Sequence, residues 1–429
     1  ALGLLGAAGF IEPEKLYGYY FLAELSLSGL IRPVPGILPL AILARDEEAK
    51  GLVVSRGNAR EAAIVRELPV YAPDTLLECV QFLRGELLIE PQPETSVDPS
   101  RSSSPSMGAD FAEVKGQLAA KRAMEIAAAG NHNILLIGPP GSGKTMLAQR
   151  LPGILPPLSF EESLDVTRVY SVAGLLSPEE GVLRERPFRA PHHTVSNVAM
   201  IGGGRNPRPG EVSLAHRGVL FLDELPEYAK ASLEALRQPL EDGVVTVSRA
   251  AGTVVYPARC MLVAAMNPCP CGYLGDAGHA CSCSAEQVAH YRHKLSGPLL
   301  DRIDLHVEAP AVPYSELRAP TRPEDNRWSS AAMSERIIAA REIQRKRYAG
   351  SQTRCNAELS GSTLEKYCAL TESCHALMQS AMSRLALSAR AYSRILRVAR
   401  TIADLAGEDA ISESFLAEAI GLRALDRPV

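Results

Sequence analysis

The octapeptide Gly138-Pro139-Pro140-Gly141-Ser142-Gly143-Lys144-Thr145 ends in a cation and a hydroxyl. Its spacing suits a triphosphate. Glycines let backbone N–H groups curl around phosphate oxygens, and the start of a following helix adds positive potential. Lys144 then reaches the outer phosphates and Thr145 offers its hydroxyl to Mg2+, with Met146 next along the helix. A second stretch, Gly218-Val-Leu-Phe-Leu-Asp223-Glu224, closes an apolar run with two acids. Asp223 is expected in the shell of the Mg2+, and Glu224 is expected to polarise the attacking water. Having both acids favours hydrolysis over passive nucleotide binding. A third run, Cys260-Met-Leu-Val-Ala-Ala-Met266, ends in Asn267, a polar side chain suited to orienting that water beside the γ-phosphate.

Cys269-Pro-Cys271 and Cys281-Ser-Cys283 form a different constellation. Four thiolates can surround Zn2+ tetrahedrally, and the intervening glycine-rich loop can fold the two pairs together. His279, His290 and His293 are alternative ligands nearby, and buried thiols or redox chemistry are the competing readings. The remaining cysteines, Cys79, Cys260, Cys355, Cys368 and Cys374, are scattered and read as core or incidental. His192 and His193 sit in Ala-Pro-His-His-Thr; on an extended segment they face opposite ways, which favours loop packing over a phosphate or metal role.

These residues need elements to hold them. Asn-Ile-Leu-Leu-Ile before the glycine-rich loop reads as a buried strand, and a helix is expected to open at Lys144. The acidic run and the run before Asn267 read as further buried strands of a parallel sheet, whose ligands bind at their carboxyl ends. Val244–Tyr256 alternates around a small turn and predicts a β-hairpin with Arg249 at its tip. Upstream, Pro39–Val54 and Ala63–Pro73 read as short strands and Asp74–Gly85 as a helix, a small α+β piece. The Pro/Ser-rich stretch 91–107 reads as a flexible linker. From Asp325 onward apolar residues recur at three and four, predicting a helical bundle of about 100 residues.

Composition bounds the rest. The 429 residues are 46% hydrophobic, which excludes wholesale disorder, and the net charge of -4 leaves nucleic-acid contacts to local patches. No run has the roughly 20 apolar residues that a membrane span needs. The opening Ala-Leu-Gly-Leu-Leu-Gly-Ala-Ala-Gly-Phe reads as the interior of a domain rather than a signal peptide. Nine cysteines, four of them clustered, fit a reducing, cytoplasmic setting better than a disulfide framework. A Ser/Lys peptidase is disfavoured: Lys15 and Lys50 are the only lysines before the linker, and neither has a convincing serine context.

Three features together resemble the YifB-type family of magnesium-chelatase-like AAA+ ATPases: the nucleotide strands, the loop from Arg186 to Glu227, and the stretch from Met266 to Glu308. The resemblance covers essentially the whole chain. It implies an α/β P-loop core with a parallel sheet at 108–312, with pore insertions and a cysteine-rich loop. An all-helical lid follows at 313–429, and part of a Lon-protease-like α+β domain precedes at 1–90. It also implies a cytoplasmic hexamer with ATP and Mg2+ at subunit interfaces. Such a ring draws branched or single-stranded DNA through a central pore, and family members look like branch-migration helicases of natural transformation. By position, Asn267 matches the γ-phosphate sensor, Arg302 the arginine finger and Arg390 the lid's sensor arginine. Val114 and Gln117 match the segment lining the adenine pocket. Without the family, Arg302 reads as an ion-pair partner of Asp301 or Asp304; Arg394, one turn after Arg390, competes with it. Arg205 and Arg208 match a pore insertion and Arg249 a DNA-pushing hairpin, the bland alternative being exposed surface arginines. A chelatase-type ATPase remodelling a protein partner shares every nucleotide residue and remains the alternative.

Overall fold

The computed structural model describes residues 1–94, 110–177, 181–205, 207–249, 252–276, 278–318, 323–385, 387–423 and 425. Two compact units divide the chain, Ala1–Ser103 with Leu158–Glu185, and Ser104–Pro157 with Arg186–Val429. The segment Leu158–Glu185, expected within the nucleotide domain, thus groups with the amino-terminal unit. Most of the expected linker, 95–107, lies outside the described residues.

In the first unit, strands Tyr19–Leu22, Gly51–Val54 and Val70–Tyr71 make a parallel sheet with Gly51–Val54 in the middle. Pro39–Asp46, expected as strand, is part of a helix, Ile37–Asp46. Its buried residues Ile37, Leu38, Ala41 and Ala44 fall on one helical face, a three-residue period that the run of aliphatics conceals. Ala59–Ala62 is likewise helical, and the strand that follows is only Val70–Tyr71. The buried Glu61 carboxylate explains why Leu158–Glu185 belongs here. It accepts from the backbone of Leu38 at 3.0 Å, near a helix start, and from the Ser171 hydroxyl at 2.5 Å. Leu164 and Val182 pack on the same core.

The second unit is built on five parallel strands: β1 (Ile134–Ile137), β2 (Phe188–Arg189), β3 (Val219–Leu222), β4 (Met261–Met266) and β5 (Leu305–Glu308). Their spatial order is β5-β1-β4-β3-β2. Every residue of β1, β3 and β4 is buried, as continuously apolar strands covered on both faces should be. Helix α1 (Leu118–Gly130) is alanine-rich and almost wholly buried, so neighbouring backbones approach closely. Helix α2 (Lys144–Arg150) follows the glycine-rich loop, and the short α3 (Asn197–Ile201) and α4 (Ala285–His293) lie in the connections around β3 and after β4.

The carboxyl-terminal helices α5 (Ser330–Arg347), α6 (Glu372–Leu385), α7 (Ala389–Ala406) and α8 (Glu413–Gly421) form the expected helical region. Residues Leu364–Leu387 make not one helix but two, broken between Tyr367 and Glu372. In α7 the buried Ala391, Ile395, Val398 and Ile402 recur at four, three and four, Ser388 caps the start, and Gly407 takes the left-handed conformation past the end. The helical region is fastened to the sheet domain by polar contacts. Arg341 and Gln344 of α5 donate to the Ala128 and Ala129 carbonyls at the end of α1, each at 3.0 Å. Among the described residues no helix is long and apolar enough to cross a membrane.

Candidate nucleotide-hydrolysis site

The parallel register gathers the site. Ile137 lies opposite Met266 and Leu222 opposite Ala264, so Gly138, Asp223 and Asn267 emerge together at the carboxyl edge of the sheet. Gly138 has no room for a side chain: a Cβ would fall 2.0 Å from the Ala309 carbonyl oxygen. Lys144 opens α2 and is largely buried, donating to the carbonyls of Gly138 and Pro139 at 2.8 and 2.9 Å, with Asn267 Oδ1 at 3.4 Å. Burial lowers the pKa of its ammonium, and the Asp223 carboxylate opposes that shift. The Thr145 hydroxyl donates to Asp223 Oδ2 at 2.7 Å. A hydroxyl and a carboxylate in contact are the hard oxygen donors that Mg2+ prefers, so the residues present fit the expected ion.

Glu224 is exposed beside them in the left-handed conformation, φ 52°, where the strand breaks into a turn. Its carboxylate lies 3.4 Å from His193 Nδ1. The expectation that His192 and His193 face opposite ways fails. Their rings lie 4.0 Å apart, because the segment curls into a turn closed by Val195 N–H to the His192 carbonyl at 2.9 Å. Tyr228 pins the segment through its hydroxyl, which donates to the Pro191 carbonyl at 2.5 Å. Burial, with Asp223 and Glu224 nearby, raises the pKa of that phenol strongly. No motif marks His193 or Tyr228, since their contacts join residues more than thirty positions apart.

A cavity of about 730 Å3 opens beside the loop, lined by Val114, Lys115, Gly116, Gln117, Pro310 and Val312. Its size falls within the range of small-molecule sites. Gln117 ties it to the phosphate loop, donating to the Ser142 carbonyl at 2.9 Å and the Pro310 carbonyl at 2.5 Å.

A second cavity, about 850 Å3, holds Arg302, Arg390, Arg394 and Arg397 and none of the glycine-rich loop. Arg302 Nε donates to the Arg237 carbonyl at 2.9 Å and another nitrogen to the Pro298 carbonyl at 2.6 Å, while Glu241 holds the guanidinium tip. It pairs with neither Asp301 nor Asp304. Arg390 is exposed and meets Asp301 at 3.2 Å, whereas Arg394 is half-buried against the buried Asp304. Both arginines thus make ion pairs, and that of Arg394 is the more enclosed.

Three family models cover most of this chain: "Magnesium chelatase, subunit ChlI" over 110–317, its C-terminal counterpart over 327–423, and "Subunit ChlI of Mg-chelatase" over 1–58. Competence protein ComM of Haemophilus influenzae is 44% identical over 430 residues, all of this chain and 82% of the relative. The uncharacterized protein YifB of Salmonella typhimurium is 42% identical over 427 residues, all of this chain and 81% of its own. The uncharacterized protein Mb2921c of Mycobacterium bovis is 43% identical over 411 residues, 96% of this chain and 79% of that protein. The chain belongs to the ComM/YifB-type, magnesium-chelatase-like family. That makes it a magnesium-chelatase-like AAA+ ATPase by family, with ATP and Mg2+ as the implied ligands.

Two further features of this ComM/YifB-type chain lie outside the phosphate site. Val244–Arg249 pairs antiparallel with Gly252–Pro257, the expected hairpin, and Gly202–Gly203 pairs antiparallel with Arg208–Pro209 where a mobile loop was expected. Arg205 and Arg208 are exposed; Arg249 ends its strand, and its side chain lies outside the described residues. Tyr256 joins the hairpins, its hydroxyl donating to the Pro207 carbonyl at 2.8 Å. Cys269, Cys271, Cys281 and Cys283 converge, all four sulfur atoms within 4.8 Å of one another. Cys269 lies 3.4 Å from Cys271 and 3.7 Å from Cys281, and Cys271 lies 3.6 Å from Cys281. Four sulfurs each about 2.3 Å from one Zn2+ would stand about 3.8 Å apart, so the cluster fits that ion. Backbone N–H groups of Tyr273 and Ser282 pull the Cys271 thiol down to about 5. His279 instead meets Asp276, at 3.0 Å.

Proposed function

We propose that this chain is an ATP-driven DNA motor of the cytoplasm, acting as a hexameric branch-migration helicase on recombination intermediates. The hydrolysis half of the reading rests on Lys144, Thr145, Asp223, Glu224 and Asn267 at one sheet edge. Mg2+ held by Thr145 and Asp223 would supply charge neutralisation at the phosphate oxygens. Lys144 anchors the outer phosphates, Glu224 accepts the proton of the attacking water, and Asn267 orients that water. Val114 and Gln117 line the base pocket. Arg302 and Arg390 share a cavity apart from their own glycine-rich loop, which favours their service to the phosphates of an adjoining protomer. The cysteine cluster is assigned to a structural Zn2+.

The observation that carries the DNA half is the Tyr256–Pro207 bond, which joins the hairpin at 244–257 to the turn that carries the exposed Arg205 and Arg208. Glycines at 202–204 suit a loop that moves along a backbone, and phosphate contacts carry most sequence-independent affinity. The competence name of the Haemophilus influenzae relative accords with it.

The test is ATP hydrolysis with and without forked or four-way DNA, alongside sizing in ATP. DNA is expected to raise turnover of a six-membered species. Arg205→Ala with Arg208→Ala is expected to weaken DNA binding and flatten its salt dependence, leaving the DNA-independent rate unchanged. Absence of DNA binding and stimulation at low salt would replace this reading with a chelatase-type ATPase that remodels a protein.

A further inference from the structure

We infer that the four-cysteine cluster is a metal-locked brace on the phosphate end of the ATPase site, setting turnover by fixing Asn267 and the glycine-rich loop. The inference rests on the ATPase reading and the zinc assignment above, and adds a coupling between them.

Three contacts lead from the cluster to the site. The first is along the chain. Cys269 is fully buried and only two residues beyond Asn267, whose side chain faces Lys144. Anchoring that sulfur therefore fixes the strand tip that presents Asn267. The second crosses to the glycine-rich loop. Gly272, between the two ligand pairs, has φ 88°, and a Cβ there would come within 2.6 and 2.9 Å of the Pro140 ring. The cysteine loop thus presses directly on the phosphate-binding turn. The third runs through α4, which begins right after Cys283 with Ser284 and Gln287 in a reciprocal cap. Lys294, just beyond that helix, pairs with Glu227 at 3.2 Å. Glu227 follows Glu224 by three residues, so the cluster reaches both sides of the reacting centre.

The cluster's own loop is poorly able to hold this arrangement. Between Cys269 and Cys283 the described backbone-to-backbone bonds are two short turns, Gly272 N–H to the Cys269 carbonyl at 3.0 Å and Asp276 N–H to the Tyr273 carbonyl at 3.1 Å; the other backbone donors, such as Cys271 N–H to Cys283 Sγ at 3.4 Å, end on the sulfurs themselves. Sulfurs 3.4 to 3.7 Å apart are not disulfide-bonded. A cation shared by four thiolates is what would lock the ends together.

The experiment compares the full chain with three variants: Cys281→Ser/Cys283→Ser, Asn267→Ala and Gly272→Ala. Zinc is counted by elemental analysis, and Co2+ exchange tests for the visible spectrum of a tetrahedral tetrathiolate. Turnover and the affinity for a non-hydrolysed ATP analogue are measured in parallel. The parent is expected to hold one zinc. The double cysteine variant should hold none, with kcat down about tenfold or more and analogue affinity within about threefold. Gly272→Ala keeps every thiol, so it should keep the metal and still lose turnover, which separates the coupling from misfolding. Combining Asn267→Ala with the cysteine pair should cost no more than the worse of the two, as expected when both act through one side chain. Parent-like kcat in the metal-free variant, or in metal-loaded Gly272→Ala, overturns the brace while leaving zinc in place. A metal-free parent overturns the metal itself, and a zinc-loaded parent that does not hydrolyse ATP overturns the ATPase reading instead.

Discussion

Thr145 and Asp223 are 78 residues apart in sequence, yet a hydroxyl–carboxylate bond of 2.7 Å joins them. Their identities are what a hard cation needs, and the same logic assigns opposite phenotypes to their neighbours. Lys144→Ala removes a buried, charge-assisted donor worth roughly 1.5–3 kcal/mol, so nucleotide affinity should fall about 10- to 150-fold in a titration with labelled ATP. Glu224→Gln keeps the shape and loses the base; turnover should fall about 100-fold or more while bound ATP persists in filter-binding assays. Comparable turnover of Glu224→Gln and parent would remove Glu224 from that role. All four residues were legible as residue types at fixed spacings. His193, 3.4 Å from Glu224, was not: the pair of histidines carries no helical or strand period, and only the turn after Pro191 decides where the ring goes.

At the level of elements, what ties the amino ends of β1 and β5 to α7 is a charge network centred on the buried Asp304. Asp304, just before β5, accepts from the Asn133 backbone at 3.1 Å and pairs with Arg394, with His132 Nδ1 at 3.4 Å. Burial alone would raise its pKa, but Arg394 and His132 hold the carboxyl far below the ordinary carboxylate range. A depressed pKa in the folded protein means that this stabilisation is fully present above the unfolded value near pH 4. It drains away as the pH falls below that value. Asp304→Asn leaves the half-buried Arg394 without its partner and should cost about 3 kcal/mol in denaturant unfolding at pH 7. The deficit relative to the parent should shrink in acid. The helices α5 and α7 were readable from their three-and-four spacing. Ile37–Asp46 was not, because a short, dense aliphatic run satisfies either period and only its packing partners choose.

For the whole molecule the consequential feature is that two arginines share a cavity remote from their own glycine-rich loop. A chain so built presents its phosphate-binding loop at one place and guanidinium groups at another, which the proposed ring would bring together. Arg302→Ala should therefore abolish hydrolysis, by about 1,000-fold if the guanidinium acts as a finger, while each protomer still binds nucleotide. Mixing Arg302→Ala with Lys144→Ala should restore part of the activity, since some interfaces then pair an intact loop with an intact arginine. No recovery in a mixture shown by sizing to co-assemble would place Arg302 outside the site. Sequence alone determined the nucleotide chemistry, the parallel-sheet class, the helical end and the four-thiol cluster, because each is written in residue type at short, regular spacing. It left open which of Arg390 and Arg394 is spent on a buried ion pair, where residues 158–185 belong, and what the cysteine loop touches. Tertiary structure decided those, since they depend on which distant groups burial brings together and which charges it forces to pair.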